Sequence, residues 1–196
     1  MAVGRTGALG SLPAAMLSDD KLAAEIAFLA AADVPYNVNF FAHRPPAPDA
    51  AREDAWVAAL APYRAEYGVA ETLGGAPRLP FDTQICDVIE PFAPPTVSFH
   101  FGLPEERLLR RVKAWGAVVM STATTVDEAK WLAEHGADAV VAQGWEAGGH
   151  RGHFLSPDLS LHLPTLDLDC TLLWCGTNSH ALMAAPAADI VAALAP

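Results

Sequence analysis

Short apolar runs alternate with longer amphipathic stretches along most of this chain. The clearest apolar runs are Tyr36–Phe41, Thr96–Phe101, Ala117–Ser121 and Ala139–Ala142, and a further run covers Gly7–Leu12. Apolar runs of about 4–8 residues are typical of buried strands, whereas apolar positions that repeat at i, i+3 and i+4 indicate helices. Since the runs and the helical stretches follow one another regularly, the pattern predicts parallel strands with helical crossovers, which is an α/β fold.

Capping signals mark the ends of several predicted helices. Ser18 is a suitable N-cap residue for the first helix, the second helix is predicted to begin near Asp49, and Thr125 with Glu128 fits a capping box. In such a box the threonine hydroxyl and the glutamate carboxylate each accept a hydrogen bond from an otherwise unpaired amide. Gly136 is expected to end that helix. The second helix carries large side chains at helical spacing, which we assign to the core or to an interface: Trp56, Leu60, Tyr63 and Tyr67.

The regular pattern weakens after Gly152. We interpret 155–196 as a divergent tail, with a strand predicted at 171–175 and a helix predicted at 179–195. With 196 residues, of which 52% are hydrophobic, the chain is long enough to bury a core. We therefore expect a single domain over 1–196.

Composition and charge narrow the classes of function. The formal net charge of −11 disfavours nucleic acid and anionic membrane as partners. No apolar run approaches the roughly 18 residues that are needed to cross a bilayer. The three cysteines, Cys86, Cys170 and Cys175, show no CxxC spacing, which favours a reducing compartment. We expect a cytoplasmic protein whose partner is a small molecule.

The stretch 139–152 concentrates the candidate chemistry. A predicted buried strand leads here into a glycine-rich loop that carries Gln143, His150 and Arg151. Glycines lack Cβ and adopt positive φ readily, so the backbone of this loop can approach a flat or phosphorylated ligand closely. Enzymes with parallel strands place their sites at the carboxyl ends of those strands. His150 and His153 also suggest a metal pair, but zinc needs three or four ligands and no such set is visible, so we predict no metal site.

Two longer motifs give the chain a family resemblance. Val97–Pro104 and Ala142–Gly152 resemble motifs of the nitronate monooxygenases, formerly called 2-nitropropane dioxygenases. Shorter matches fall in the family's order: Leu9–Leu12, Val38–Phe40 and Ser121–Thr124. The resemblance covers about 7–154 and implies an incomplete TIM-type (β/α)8 barrel in which strands two to six are recognisable. It also implies non-covalent FMN and the oxidation of alkyl nitronates with O2 to carbonyl compounds and nitrite.

The resemblance also assigns roles to individual residues. Catalysis falls to His150, either as a base that removes a proton from a nitroalkane or as a cation that holds the nitronate. His150, His100 and Arg151 are expected beside the substrate. By strand alternation, His100 faces the side opposite Phe99 and Phe101. The implied flavin contacts are Asn39, Ser121, Thr122, Gln143, Gly144, Gly148 and Gly149.

Two other interpretations stay open at this point. Enoyl reductases that use FMN resemble the same glycine–histidine motif, and a requirement for NAD(P)H would indicate that class. The alternative outside catalysis is an inactive, truncated remnant that does not bind FMN, because the implied first, seventh and eighth strands are not recognisable. The expected partners are a nitronate or nitroalkane and O2, and the sequence allows a homo-oligomer.

Overall fold

The strands of the protein form one parallel sheet in the computed structural model, which describes residues 1–69 and 79–162. The strands are β1 (Gly10–Pro13), β2 (Tyr36–Phe41), β3 (Thr96–His100), β4 (Val118–Ala123) and β5 (Ala139–Ala142). Their order in the sheet follows the sequence, and every neighbouring pair is parallel. The predicted α/β class is confirmed, and β2 and β5 lie at the predicted residues.

Helices connect the successive strands. They are α1 (Asp19–Ala31), α2 (Ala50–Tyr67), α3 (Thr83–Ile89), α4 (Glu106–Ala114) and α5 (Val126–Glu134). α2 begins next to Asp49, as predicted, and Asp49 caps it, because its carboxylate accepts a hydrogen bond from Arg52 N at 3.1 Å. Ser18 occupies the N-cap position of α1 without a capping hydrogen bond from its side chain. Gly136 follows α5 with a φ of 104°, which explains why glycine ends this helix.

Apolar side chains fill the side of the sheet that faces the helices. Val38 and Phe40 of β2 and Phe99 of β3 are at most 2% exposed. They belong to one hydrophobic cluster, to which the helices contribute Leu22, Ile26, Cys86, Ile89, Leu108 and Val112. Burial of each large apolar side chain stabilises a fold by roughly 1.5–3 kcal/mol. This cluster fixes α1, α3 and α4 on the sheet.

The opposite side of the sheet is polar. Asn37 donates from Nδ2 to the hydroxyls of Ser11, at 2.9 Å, and Ser98, at 2.7 Å. Asn39 Nδ2 donates to the same Ser98 hydroxyl at 2.7 Å. These residues alternate along their strands with the buried apolar ones and lie beside one another in the strand register. The sheet thus separates an apolar layer from a hydrogen-bonded polar surface, which we call the polar face.

The prediction that the large side chains of α2 belong to the core is wrong. No residue of α2 is buried, and Trp56 and Tyr67 are 67% and 72% exposed. Helical spacing of apolar residues shows that a helix has an apolar stripe, but it does not show what covers the stripe. Within the described residues no other element buries it. The alternative, that α2 forms an interface, stays a prediction.

β5 has the predicted bounds, but the prediction that it is buried is wrong. Three of its four residues are exposed, and Val140 is 38% exposed. β4 pairs with one edge of β5, and within the described ranges no strand pairs with its other edge. The apolar run therefore located the strand correctly without indicating how many neighbours cover it.

Part of the sequence prediction falls outside the described residues. The strand predicted at 171–175 and the helix predicted at 179–195 lie there, as does most of the predicted tail. Among the helices of 1–69 and 79–162, none is long and apolar enough to span a membrane.

Candidate functional site

Several of the predicted site residues lie together at the edge of the sheet formed by the carboxyl ends of β2 to β5. Asn39 and His100 lie on the polar face of β2 and β3, and Thr122 of β4 lies next to His100. The glycine-rich loop after β5 folds back onto this edge at Gly152. A Cβ added to Gly152 would lie 2.7 Å from His100 Cε1 and 2.8 Å from Thr122 Cγ2. A larger residue there would force one of these neighbours to move.

Gln143 ties the glycine-rich loop to the end of β5. Its Oε1 accepts a hydrogen bond from Gly152 N at 2.7 Å, and its Nε2 donates to His150 O at 2.9 Å. His100 Nε2 lies 3.2 Å from the same carbonyl oxygen. The main chain of His150 is therefore held from two strands, while the residue itself is exposed. The flavin contact of Gln143 stays a prediction beside this bracing role.

His100 is an oriented and preferentially neutral imidazole. Its hydrogen bond to the carbonyl oxygen of His150 requires the proton on Nε2, which leaves Nδ1 as an acceptor. Burial lowers the pKa of His100, the hydrogen bond to His150 O raises it, and the nearby His150 imidazole lowers it. The net direction is downward, so the neutral form is favoured.

Two phenyl rings link three imidazoles at the same edge. Phe41 and Phe101 pack edge to face with ring centroids 5.4 Å apart. Each of them contacts His43, His100 and His150 at centroid distances of 4.4–6.2 Å. We call these five rings the aromatic–imidazole cluster. His43 was not among the predicted site residues, although its position just after β2, at the same end of the sheet, relates it to this edge.

Phe101 departs from the predicted strand alternation. β3 ends at His100, and Phe101 has a φ of 71°, a left-handed conformation that bulky residues rarely adopt. Ser121 fixes this turn, because its hydroxyl lies 3.2 Å from Phe99 O and 2.8 Å from Gly102 O. The ring of Phe101 consequently contacts His100 in the cluster. The prediction that Phe101 and Phe99 share the side opposite His100 is wrong for Phe101.

The predicted flavin contacts on the strands lie on different sides of the sheet. Asn39 and Thr122 are half-buried on the polar face. Ser121 is 1% exposed and pairs with Phe99, which belongs to the helix-facing side. These three roles stay predictions, and for Ser121 the structure adds the turn-fixing hydrogen bonds described above.

The predicted glycine contacts belong to the loop after β5. Gly144 O accepts a hydrogen bond from Ala147 N at 3.1 Å, which forms a tight turn directly after the strand. Gly149 has a φ of 77°, so glycine is required at this position for conformational reasons. Gly148 is half-buried and Gly149 is exposed. Their contacts with a flavin stay predictions.

The predicted capping box at the start of α5 is only half correct. Thr125 Oγ1 accepts a hydrogen bond from Glu128 N at 3.2 Å, as predicted. The Glu128 carboxylate does not return to Thr125 N, because Oε2 accepts from the amide and the hydroxyl of Thr124, both at 2.8 Å. Oε1 accepts from Phe154 N at 2.7 Å and from Leu155 N at 3.2 Å. Thr124 and the segment after the loop thus supply the donors in place of Thr125 N.

Arg151 lies beside a pair of histidines. Its Nη1 is 3.4 Å from His162 Nδ1, and the rings of His153 and His162 have centroids 5.4 Å apart. Burial lowers the pKa of His162, and the charges of His153 and Arg151 lower it further. The place of Arg151 beside a substrate stays a prediction. Among the residues that the structure describes, no three His, Cys, Asp or Glu side chains are arranged to hold a metal ion.

Comparison with known sequences gives a consistent result. The profile of the nitronate monooxygenase family matches residues 1–167. A nitronate monooxygenase of Pseudomonas aeruginosa is 42% identical over 159 residues, which is 78% of this chain and 45% of that protein. A nitronate monooxygenase of Paraburkholderia phytofirmans is 39% identical over 163 residues, which is 80% of this chain and 44% of that protein. The chain thus spans less than half the length of these curated relatives.

Comparison with solved structures agrees with the sequences. A nitroalkane oxidase from Streptomyces ansochromogenes superposes with a TM-score of 0.71 at 34% identity, over 86% of this chain and 48% of that one. A FabK variant from Thermotoga maritima superposes with a TM-score of 0.52 at 25% identity, over 78% of this chain and 40% of that one. The five strands are therefore part of a TIM-type barrel, as predicted, and the chain belongs to the nitronate monooxygenase family.

Proposed function

We propose that the protein is a cytoplasmic, FMN-dependent nitronate monooxygenase that oxidises alkyl nitronates or nitroalkanes with O2 to carbonyl compounds and nitrite. The names of its relatives support this activity, since two of them are nitronate monooxygenases and the similar structure is a nitroalkane oxidase. The observation that carries the proposal is the anchoring of His150 by Gln143 and His100 at the polar edge of the sheet.

The chemistry of this edge fits a flavin. Asn39 and Thr122 present amide and hydroxyl groups on the polar face, and the glycines of 144–149 permit a close approach of the backbone. Asn37 Oδ1 is buried without a hydrogen-bond partner among the described residues, so the polar face can accept a further donor. We expect Asn39, Thr122 and the loop glycines to hold the FMN. When bound, the flavin supplies the oxidation–reduction chemistry.

His150 is the residue that handles the proton in this proposal. Its main chain is held by Gln143 and His100, and its imidazole lies beside Phe41 and Phe101. A neutral imidazole in this position accepts the α-proton of a nitroalkane, and the imidazolium that results pairs with the nitronate oxygens.

The substitution His150→Ala tests the proposal. In the FMN-loaded protein, nitrite release from a neutral nitroalkane should fall by roughly 10²–10⁴-fold, the range for loss of a general base. Turnover of a preformed nitronate should fall less, because that substrate has already lost its proton. His153→Ala is the matched control, because it removes a nearby imidazole that contacts His162 instead of the cluster phenyl rings.

Three outcomes would contradict the proposal. Unchanged nitroalkane turnover in the His150→Ala variant would remove His150 from the mechanism. Oxygen consumption that requires NAD(P)H would favour an FMN-dependent reductase. A folded protein that neither binds FMN nor releases nitrite would favour the inactive alternative.

A further inference from the structure

We infer that Glu128 is a positioning residue of this site, whose carboxylate anchors the segment that follows the glycine-rich loop and thereby holds His150 in place. Its importance for turnover rests on the proposed function, whereas the anchoring itself does not. Glu128 belongs to the first turn of α5 and is not expected to touch the substrate. Its effect on His150 is exerted through the main chain of 150–155.

The carboxylate of Glu128 joins two separate parts of the chain. One oxygen binds the amide and hydroxyl of Thr124, in the turn between β4 and α5. The other oxygen binds the amides of Phe154 and Leu155, beyond the glycine-rich loop. The side chain is 1% exposed, so these contacts are shielded from water. The buried carboxylate of Glu128 therefore links the start of α5 to the segment after the loop by hydrogen bonds.

An ionised carboxylate is the side chain that fits this arrangement. All four partners of Glu128 are N–H or O–H donors, and an ionised carboxylate can accept hydrogen bonds with both oxygens. A glutamine in its place would direct an N–H2 group at one of the two pairs of donors. Hydrogen bonds to a charged acceptor are stronger than neutral ones, which offsets the cost of burying the charge. Burial raises the pKa of Glu128, but these hydrogen bonds lower it by more.

Hydrogen bonds hold the main chain of 150–155 at two places. Gln143 holds the backbone of His150 and Gly152 at one end, and Glu128 holds the amide of Phe154 at the other. The ring of Phe154 covers Gly102, where an added Cβ would meet it at 3.1 Å. If the hydrogen bonds of Glu128 were lost, His150 would keep only its main-chain contacts with His100, from β3, and Gln143, next to β5. The expected consequence is local loosening of the loop without loss of the fold.

Trypsin cleavage after Arg151 measures this loosening, because the peptide bond between Arg151 and Gly152 lies inside the segment that Gln143 and Glu128 hold. In the Glu128→Gln variant, cleavage after Arg151 should accelerate by about 10-fold or more, which corresponds to the loss of one or more hydrogen bonds to a charged group. Cleavage after Arg52, in the exposed helix α2, should be unchanged and serves as the internal reference.

Thr125→Ala is the matched control variant. It removes the hydrogen bond between Thr125 Oγ1 and Glu128 N at the same helix start but keeps the four contacts of the carboxylate. Cleavage after Arg151 should stay at the rate of the unsubstituted protein in this control. Equal acceleration in both variants would overturn the inference, because it would reduce Glu128 to a contributor to helix stability. Unchanged cleavage in Glu128→Gln would overturn it as well.

Amide hydrogen exchange of the unsubstituted protein keeps the inference testable if Glu128→Gln does not fold. The amides of Phe154 and Leu155 should exchange as slowly as those in the middle of α5, and rapid exchange would overturn the anchoring role. The functional readout is a fall of kcat for a nitroalkane in Glu128→Gln, with FMN retained and KM little changed. A loosened loop in a protein without any turnover would support the anchor and contradict only the proposed function.

Discussion

The two sides of the sheet differ in chemistry although they are built from the same strands. The helix-facing side buries Val38, Phe40 and Phe99 in one hydrophobic cluster. The other side carries Asn37, Asn39 and Ser98, which are joined by side-chain hydrogen bonds. In TIM barrels the interior of the sheet is more often filled by bulky branched residues. One side therefore holds the fold together, and the other is the side to which we assign the flavin in the proposed function.

The same division extends to the loops at the carboxyl edge. Main-chain atoms of the glycine-rich loop and of the segment after it are held by Gln143, His100 and Glu128, while His150 itself is exposed. Buried polar groups are tolerated when their hydrogen bonds are satisfied, so these braces stabilise the site instead of weakening it. Substitutions on the helix-facing side should therefore mainly lower the free energy of unfolding, whereas substitutions at the polar face should mainly disturb the loop and His100.

The largest effect on stability is expected on the helix-facing side. Phe99→Ala should lower the free energy of unfolding by about 3–5 kcal/mol, because it opens a cavity in the hydrophobic cluster. Trp56→Ala, on the exposed face of α2, is the control and should change it by less than about 0.5 kcal/mol. Urea denaturation measures both variants. Similar losses in the two would break the distinction between the buried cluster and the exposed helix.

An intermediate effect is expected where the loop meets the polar face. Gly152→Ala should cost about 1–3 kcal/mol, the range for overpacking, since its Cβ would clash with His100 and Thr122. It should also shift the imidazole resonances of His100 in an NMR spectrum. Gly10→Ala is the control, because the nearest atom to its added Cβ is 3.7 Å away. An unperturbed His100 in Gly152→Ala would show that the loop does not contact the polar face as described.

The smallest effect is a dependence of stability on pH through His100. Its pKa in the folded protein lies below the ordinary value of 6.5, because burial is the largest influence on it. The unfolded chain then binds the proton more readily, so the free energy of unfolding falls as the pH drops from 6.5 through the lowered pKa. His100→Gln should remove this part of the dependence. An NMR titration that gave His100 a pKa at or above 6.5 would contradict the neutral, buried imidazole.

Apolar runs were sufficient to locate the strands, because parallel strands that are covered by helices have a strong apolar signal. They did not reveal that β5 is exposed or that the aromatic stripe of α2 lies outside the core. Both depend on which elements come to lie next to a segment, and a local pattern does not contain that information. Phe101 is a local exception, where Ser121 and the turn at Gly102 override strand alternation.

The glycine–histidine motif predicted a candidate site, but it did not predict the hydrogen bonds that support the loop. Gln143, for example, was expected to touch a flavin, and the structure shows that its amide braces the loop. Glu128 was expected to close a capping box with Thr125 N, and its carboxylate instead binds Thr124 and two amides that are 26 and 27 residues further along the chain. Long-range partners of this kind cannot be predicted from the spacing of residues within one helix. His43 lies outside every motif, and its position just after β2 is the one feature of the sequence that relates it to the site.

The central claim is that the polar face and the glycine-rich loop form a flavin site. A visible absorption spectrum of the purified protein, recorded after incubation with FMN and desalting, tests it most directly. We predict retained flavin bands at close to one FMN per chain. A colourless protein whose circular dichroism spectrum shows the α/β fold would contradict the claim.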